Sequence, residues 1–493
     1  MATNIKPTAP TAGGLRRDAI GLREVLFQSI TGMAPGAAIA ASIPAGAGYA
    51  GGALPLAVVF ALIACLLSAS SIGLLAREMP AAGSLATYAA RGIHPVAGFL
   101  IAWGYVLVSV LIPPLVLLQL GFTVASTINA DFAGYPASLW WPWSVAGAVI
   151  VLAAGYYGIR TSARLGTILG VFEIAVFVVL AVFLIVHAGG HNTINVFGTS
   201  YTPKNHQGIT GVIAGSVYTV LAFGGFEGAA PLAEESRNPG KTVQRAVLLS
   251  TLAIGVLYVF TTYAADVAFG PAGFAGFTSE GNASWEGIAR NLYGLFWFFV
   301  FLAIVNSTIA NANAGVNISS RVSYAMGRIH AFPAALGRVH PKHRSPVLAI
   351  VLSFALTLAV MLGLGFGYGP VEAFAMTGTG IVIVLVAIYI LMNVACIGYF
   401  ARKRALGRRL DPFRMMVFPV LGAAAFVPAW LTAAGIRVFS FVAPLAPPAS
   451  YMGPGVGGFM IVGVVYLLYL RARHPDRIAE VGLVHLDTPP EQV

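Results

Sequence analysis

The chain has 493 residues, of which 58% are hydrophobic and 9% are charged, and its mean hydropathy is +0.83. Soluble globular domains carry about 25% charged residues, so this composition excludes a soluble fold and indicates a chain embedded in lipid. The formal net charge is +11, and the sorting of the basic residues described below accounts for it without a nucleic-acid partner. Cys65 and Cys396 lie within apolar runs, so we interpret them as buried packing residues and expect no disulfide.

The two ends of the chain are polar. The first twenty residues contain no apolar core ahead of a cleavage site, so they do not have the pattern of a secretory signal peptide. We predict a disordered cytoplasmic tail over residues 1–20, one transmembrane domain over residues 21–472 and a second cytoplasmic tail over residues 473–493.

About twelve apolar runs recur along the chain, each near the roughly 20 residues that a helix needs to cross a bilayer. Helices 1–5 are predicted over about residues 24–188, helices 6–10 over about 209–400, and helices 11 and 12 over about 412–472. In chain order, the predicted ranges are 24–49, 52–76, 95–127, 139–158, 162–188, 209–235, 242–269, 291–325, 345–366, 371–400, 412–435 and 454–472. The sequence therefore predicts an all-α membrane protein.

The Lys and Arg residues sort strongly between the loops that join these helices. With the N-terminus in the cytoplasm, all but three of the 28 fall in the tails and loops of the cytoplasmic side. The three on the other side are Lys204, Arg290 and Arg437. This bias follows the positive-inside rule for an even number of helices, and it predicts a multi-pass protein of a bacterial inner membrane with both termini in the cytoplasm.

Two of the apolar runs are interrupted by glycine and proline near mid-membrane. Helix 1 contains Thr31-Gly32-Met33-Ala34-Pro35-Gly36, and helix 6 contains Phe223-Gly224-Gly225-Phe226-Glu227-Gly228. The two breaks occupy corresponding positions if helices 1–5 and 6–10 are halves of opposite orientation, a pattern typical of a transporter site at the bilayer midplane. The alternative is that these residues serve only close helix packing, since glycine and proline are common in membrane helices.

Three loop segments carry further motifs. They are Met79-Pro80-Ala81-Ala82-Gly83-Ser84 followed by Tyr88; Glu234-Glu235-Ser236-Arg237-Asn238-Pro239-Gly240-Lys241; and Tyr324-Ala325-Met326-Gly327-Arg328 followed by Phe332-Pro333, His340-Pro341-Lys342 and Ser345-Pro346. With these motifs, about residues 20–470 resemble the amino acid/polyamine/organocation superfamily of permeases. The run from Glu234 to Pro239 is the most specific part of the resemblance.

This resemblance implies a LeuT-like fold, with two inverted repeats of five helices, broken helices 1 and 6, and two peripheral helices. It also implies a substrate site between helices 1, 6, 3, 8 and 10, where the backbone of helix 1 receives the substrate carboxylate and carbonyls at the two breaks receive its amino group. The residues expected to bind substrate are Gly32, Met33, Ala34, Gly36, Ala37, Ala38, Phe223, Gly224, Gly225, Phe226 and Asn311.

The helix 1 break departs from the Gly-Ser-Gly that is usual in this superfamily. A half-helix that begins inside the membrane offers free N–H groups and a positive dipole end to a carboxylate. Pro35 has no N–H to donate, although proline is favourable at the first helical position. We therefore expect the carboxylate cradle at Gly36–Ala38.

Of the 17 acidic residues, only Glu173 in helix 5 and Glu227 in helix 6 lie deep within apolar runs, while Asp266 and Glu372 lie near helix ends. A charge at the bilayer centre costs about 2.5–3.5 kcal/mol on insertion scales. No Lys or Arg lies deep enough to neutralise these carboxyls, so we expect them to exchange protons coupled to transport.

Each deep carboxyl has alternatives. Glu227 matches a glutamate found at this position in several members of the superfamily, but a protonated cap for the loose backbone groups of the break is also consistent with its place. Glu173 lies where some proton-coupled relatives carry a lysine. It is a candidate for proton exchange, for holding a cation, or for a simple bond to a neighbouring helix.

Helix 8 carries four asparagines within twelve residues, Asn306, Asn311, Asn313 and Asn317. Such amides often bond helix to helix in membranes, at about 0.6 kcal/mol each, and Asn311 is the candidate for lining the cavity.

Among the aromatic residues, Phe226 in the helix 6 break and Tyr105 in helix 3 lie where the superfamily places gating side chains. The alternative for both is packing.

The sequence contains no Cys/His ligand spacing, no nucleophile motif and no Walker motif, so it gives no support for catalysis, a metal or other cofactor, or ATP hydrolysis. We expect a secondary active transporter that imports or exchanges amino acids by alternating access, coupled to protons, with a small-molecule substrate, protons and the lipid bilayer as partners. Neutral amino acids are favoured because no basic side chain reaches mid-membrane to pair with an acidic substrate. A permease or antiporter of cationic amino acids or polyamines is the alternative, and a transporter-like sensor or a channel is the alternative from another class.

Overall fold

The computed structural model describes residues 21–80, 84–132, 134–157, 163–236, 238–328, 333–337, 346–406 and 411–473. The predicted tail over 1–20 lies outside these residues, as does the predicted tail over 473–493 except for Arg473. Of the loop motifs, Ala81–Gly83, Arg237, Phe332, residues 340–342 and Ser345 also lie outside them. Within the described ranges, twelve helices are long and apolar enough to cross a membrane.

We number the spans α1–α12 in the order of the predicted helices. The unbroken spans are α2 (Leu54–Glu78), α3 (Pro95–Asp131), α4 (Trp141–Tyr157), α5 (Ala163–Ala188), α7 (Pro239–Phe269), α8 (Phe296–Arg328), α9 (Val347–Tyr368), α10 (Pro370–Ala405), α11 (Phe418–Ala434) and α12 (Met452–Arg473). The first span divides into α1a (Leu22–Met33) and α1b (residues 35–42, an α-helical turn followed by a π-helical turn), and the sixth into α6a (Ile209–Phe223) and α6b (Phe226–Glu235, a 3-10 helix).

Proline begins several of these spans. Pro95, Pro239 and Pro370 stand in the first turn of α3, α7 and α10. A missing N–H is harmless there because the first amides of a helix have no partner within the helix, and the fixed φ of proline suits helical geometry.

The broken spans lie at the centre of the fold. In their most apolar stretches, 72% of the residues of α1 and 78% of those of α6 are buried, against 22% in α12. The α1a segment packs against α6b, α7 and α8, while α3 packs against α8 and α10. The predicted all-α, LeuT-like arrangement, with broken first and sixth helices and two peripheral helices at the end of the chain, is confirmed.

The loop between α7 and α8 differs from the prediction. A separate short helix, Trp285–Tyr293, occupies it, and the eighth span begins at Phe296 rather than near residue 291. Ser284 caps the short helix by accepting the amide N–H of Gly287 at 3.2 Å. Gly294 then ends the helix, because its φ of +54° is not helical. Glycine suits this position, since a residue with a side chain rarely adopts such a backbone conformation.

Candidate substrate site

The helix 1 break is a single residue in the left-handed region. Ala34 has φ +46° and ψ +66°, and its N–H donates to the carbonyl of Thr31 at 3.1 Å, which closes α1a. The next residue, Pro35, then starts α1b as its first helical residue. Proline cannot donate the hydrogen bond that would continue α1a, so the sequence Ala34-Pro35 ends one helix and begins the next.

The helix 6 break consists of two glycines. The N–H of Gly224 donates to the carbonyl of Leu221 at 2.9 Å, and Gly225 follows at φ +110°. A Cβ on Gly32 of α1 would lie 3.0 Å from the carbonyl oxygen of Gly225, so the backbones of the two breaks touch there. Larger residues at either position would separate them.

Side chains from other helices hold the two breaks together. The Asn311 amide of α8 donates to the carbonyl of Gly32 at 2.9 Å, and the Ser29 hydroxyl of α1a donates to the carbonyl of Phe226 at 3.0 Å. The Tyr258 hydroxyl of α7 lies 3.2 Å from the carbonyl of Met33 and 3.0 Å from that of Ala222, so one side chain contacts both broken helices.

Glu227 is the second residue of α6b and is 4% exposed. Its Oε2 accepts the amide N–H of Gly225 at 3.1 Å and the hydroxyl of Tyr389, on α10, at 2.7 Å. The hydroxyl of Tyr105, on α3, lies 3.5 Å from the other carboxyl oxygen. The carboxyl therefore connects its own break to the two helices that flank the site.

Glu173 of α5 is also 4% exposed, and it reaches the other break. Its Oε2 accepts the amide N–H of Gly36 at 3.4 Å, and its Oε1 accepts the side-chain amide of Asn306 on α8. The expected cradle at Gly36–Ala38 is thus in use within the protein, since the amide of Ala38 donates to Ala34 at 2.9 Å. The carbonyl of Ala37 accepts the side-chain amide of Gln119 at 2.9 Å.

The predicted gating residues occupy different environments. Phe226 is fully buried, with its ring centroid 4.8 Å from that of Tyr389, whereas Tyr105 is only partly buried. Phe223 is also fully buried and packs edge-on against Tyr258 at 5.3 Å. The asparagines of α8 also differ in their environments. Asn306 and Asn311 form hydrogen bonds with site residues, whereas Asn317 is exposed.

Sequence reasoning missed three groups of this site, Tyr258, Tyr389 and Gln119. All three are polar residues inside apolar helices, which is a usable signal, but each was open to interpretation as packing. Sequence reasoning placed Asp266 near a helix end, and Asp266 does lie close to the end of α7 at Phe269, but the full burial of its side chain was not predicted. Neither of its carboxyl oxygens has a hydrogen-bond partner in the part of the chain that the structure describes.

A membrane domain with two broken helices that meet at its centre is the architecture of secondary transporters with discontinuous helices. Comparison with known proteins narrows the class further. The chain belongs to the amino acid permease family, whose model matches residues 24–479. The resemblance drawn from the loop motifs is thereby confirmed, and at the level of the family the chain is a multi-pass permease of amino acids or amines and not an enzyme.

Three relatives illustrate the range of the family. The chain is 27% identical to the low-affinity putrescine importer PlaP of Escherichia coli, over 78% of this chain and 82% of the relative. It is 26% identical to the branched-chain amino acid permease BcaP of Bacillus subtilis, over 62% of this chain and 66% of the relative. It is 30% identical to a probable GABA permease of Pseudomonas aeruginosa, over 52% of this chain and 53% of the relative.

Proposed function

We propose that this permease is a proton-coupled carrier of neutral amino acids that works by alternating access. One observation supports the proposal above all: each break has its own buried carboxyl. Glu227 accepts the amide of Gly225 at 3.1 Å, and Glu173 accepts the amide of Gly36 at 3.4 Å. A proton that binds either carboxyl therefore acts directly on the backbone of a broken helix.

Protonation of Glu227 changes the contacts between α6b and its neighbours. The carboxylate accepts two hydrogen bonds on one oxygen, from Gly225 and Tyr389. Hydrogen bonds to a charged acceptor are roughly twice as strong as those between neutral groups. A proton on Glu227 thus weakens the link from α6b to α10 and favours movement of α6b, which is how the proton is coupled to the transport cycle.

The charge of the site favours a neutral substrate. No Lys or Arg is among the hydrogen-bond or ion-pair partners of Glu173 and Glu227 in the described ranges. An acidic amino acid would add an unpaired carboxylate to this surrounding, which is costly in a medium of low dielectric constant. A zwitterion brings its own compensating charge, and backbone N–H and carbonyl groups at the breaks suit its two ends.

A diamine or cationic amino acid is the second candidate. Two buried carboxyls that have no cationic partner within the described residues match two ammonium groups, and one relative is a putrescine importer. A thermal-shift screen of the purified protein against the twenty amino acids, putrescine and spermidine distinguishes the candidates. Stabilisation by neutral amino acids supports the first proposal, and stabilisation by the amines alone replaces it with the second.

Replacement of Glu227 by Gln tests the proton coupling. Glutamine mimics the protonated carboxyl, so exchange of substrate for substrate in proteoliposomes should persist, while accumulation driven by an imposed pH gradient without sodium should fall at least tenfold. Glu372→Gln is the matched control, because Glu372 is an exposed glutamate on α10. Gradient-driven uptake that survives in Glu227→Gln would show that Glu227 only caps the break.

A further inference from the structure

The surroundings of Gly36 form a small carboxylate-binding cluster on α1b and α8. Three donors point to one place: the amide N–H of Gly36, the side-chain amide of Asn306 and the hydroxyl of Ser307. The first two bond to the carboxyl of Glu173. Ser307 is 1% exposed, and its hydroxyl lies beside the same carboxyl.

The Gly36 backbone is closely packed in this cluster, and its one N–H already has an acceptor. A Cβ built on Gly36 would lie 3.1 Å from the carbonyl oxygen of Ala303, 3.1 Å from Cβ of Ser307 and 3.3 Å from Oε2 of Glu173. Two carboxylates at one site also repel each other strongly, so that one of them must take up a proton or leave. A ligand carboxylate can reach the Gly36 amide only in place of Glu173.

From this geometry we infer that Glu173 and the carboxylate of an amino acid compete for the Gly36 amide, so that substrate binds only after Glu173 has taken up a proton. The inference rests on the proposed function and adds the order of events to it. The proton comes from solvent and converts the Glu173 carboxylate to the acid. The hydrogen bond of the Gly36 N–H then passes from Glu173 Oε2 to the substrate carboxylate.

The groups that the neighbouring helices present to Glu173 do not compete with it for the proton. The α5 helix packs against α7, α8 and α1. On α7 the titratable group that faces Glu173 is the Tyr258 hydroxyl. In the described ranges, α8 presents the uncharged Asn306 and Ser307, and α1b presents backbone. A neutral carboxylic acid is a weaker hydrogen-bond acceptor than a charged carboxylate. Once Glu173 is protonated, the Gly36 N–H therefore donates to the substrate carboxylate.

The experiment measures substrate affinity against pH. Purified protein is screened at pH 5.5 with the twenty amino acids, and the dissociation constant of the amino acid that stabilises it most is followed up to pH 8.5, together with that of its carboxamide. Because only the protonated fraction binds, the apparent dissociation constant of the amino acid should rise up to about tenfold per pH unit. The carboxamide has no carboxylate to compete with Glu173, so its affinity should show no such slope.

Glu173→Gln should bind the amino acid with the same affinity across the whole range. Asp266→Asn is the matched control, a buried carboxyl near the end of α7 and two turns beyond Tyr258, and it should keep the wild-type slope. Persistence of the slope in Glu173→Gln, or an equal slope for the carboxamide in the wild type, overturns the inference and leaves the proposed transport function intact. Absence of any amino acid binding by the wild type instead overturns the proposed function.

Discussion

Gly36 has almost no free space around it, because α1b packs directly on α8. A methyl group there would stand 3.1 Å from both Ala303 and Ser307, closer than ordinary van der Waals contact. We expect Gly36→Ala to weaken substrate binding at least tenfold, since overpacking costs about 1–3 kcal/mol and displaces the amide that holds the carboxylate. The measurement is the dissociation constant of the substrate.

Gly48→Ala is the control for this change, because Gly48 is exposed and a Cβ there would meet nothing within 4 Å. A monodisperse, folded Gly36→Ala protein that binds substrate as tightly as the wild type would contradict the assignment of the carboxylate site.

Individual residues differ in how far the sequence alone predicts them. The breaks at Ala34 and Gly225 follow from local chemistry, because proline and glycine interrupt a helix wherever it packs. The contact of Glu173 with Gly36 joins residues 137 positions apart. It depends on how α5 and α8 pack around α1b, and no pattern along the chain specifies that packing.

At the level of elements, the short helix Trp285–Tyr293 is joined to the end of α3 by two contacts one turn apart. The Thr127 hydroxyl donates to Glu286 at 2.6 Å, and Arg290 forms an ion pair with Asp131. The ion pair is partly exposed, so it contributes about 0–1 kcal/mol. Burial raises the pKa of Glu286 to about 7, against the smaller, opposite effects of its hydrogen bond with Thr127 and of the Arg290 charge.

The raised pKa of Glu286 makes this junction sensitive to pH. The folded chain holds the Glu286 proton more tightly than the unfolded chain, so its stability falls as pH rises from about 4.5 to about 7 and then levels off. Glu286→Gln cannot ionise. We therefore expect the melting temperature of the variant, relative to the wild type, to be higher at pH 8 than at pH 5.

The control for Glu286 is Asp131→Asn, which breaks the ion pair with Arg290 at the same junction. The carboxylate that it removes is 37% exposed, whereas that of Glu286 is buried. Its difference from the wild type should be the same at both pH values. A difference between Glu286→Gln and the wild type that does not change with pH would mean that Glu286 is solvated in the folded protein.

Hydropathy predicted the spans well, because twenty apolar residues have few alternatives to crossing the bilayer. It failed in the loop between α7 and α8, where the short helix carries Glu286 and Arg290 and has no long apolar run. The end of that helix at Gly294 depends on one backbone angle, which a hydropathy average does not contain.

At the scale of the whole molecule, two of the ion pairs within the described ranges join residues near the ends of different helices. Lys403 at the end of α10 pairs with Glu78 at the end of α2, and Arg290 pairs with Asp131 at the far end of α3. The positive-inside rule predicts that the first pair lies on the cytoplasmic side together with both termini. A reporter that is active only outside the cytoplasm should therefore give no signal when fused after residue 493.

The same reporter inserted after Lys204, in the loop before α6a, should give a strong signal and so controls for expression. A strong signal from the fusion at residue 493, together with none from the insertion at Lys204, would contradict the predicted orientation.

The Tyr258 hydroxyl contacts carbonyls of both broken helices, at Met33 and at Ala222. A hydroxyl has a single proton, so it donates fully to one carbonyl at a time and shares itself between them. Moving the broken helices apart at this point leaves the hydroxyl bonded to one of the two carbonyls, so the separation costs less than one full hydrogen bond, which is about 0.5–1.5 kcal/mol. Thermal energy is about 0.6 kcal/mol at room temperature, so the contact between Tyr258 and either broken helix can break and re-form readily.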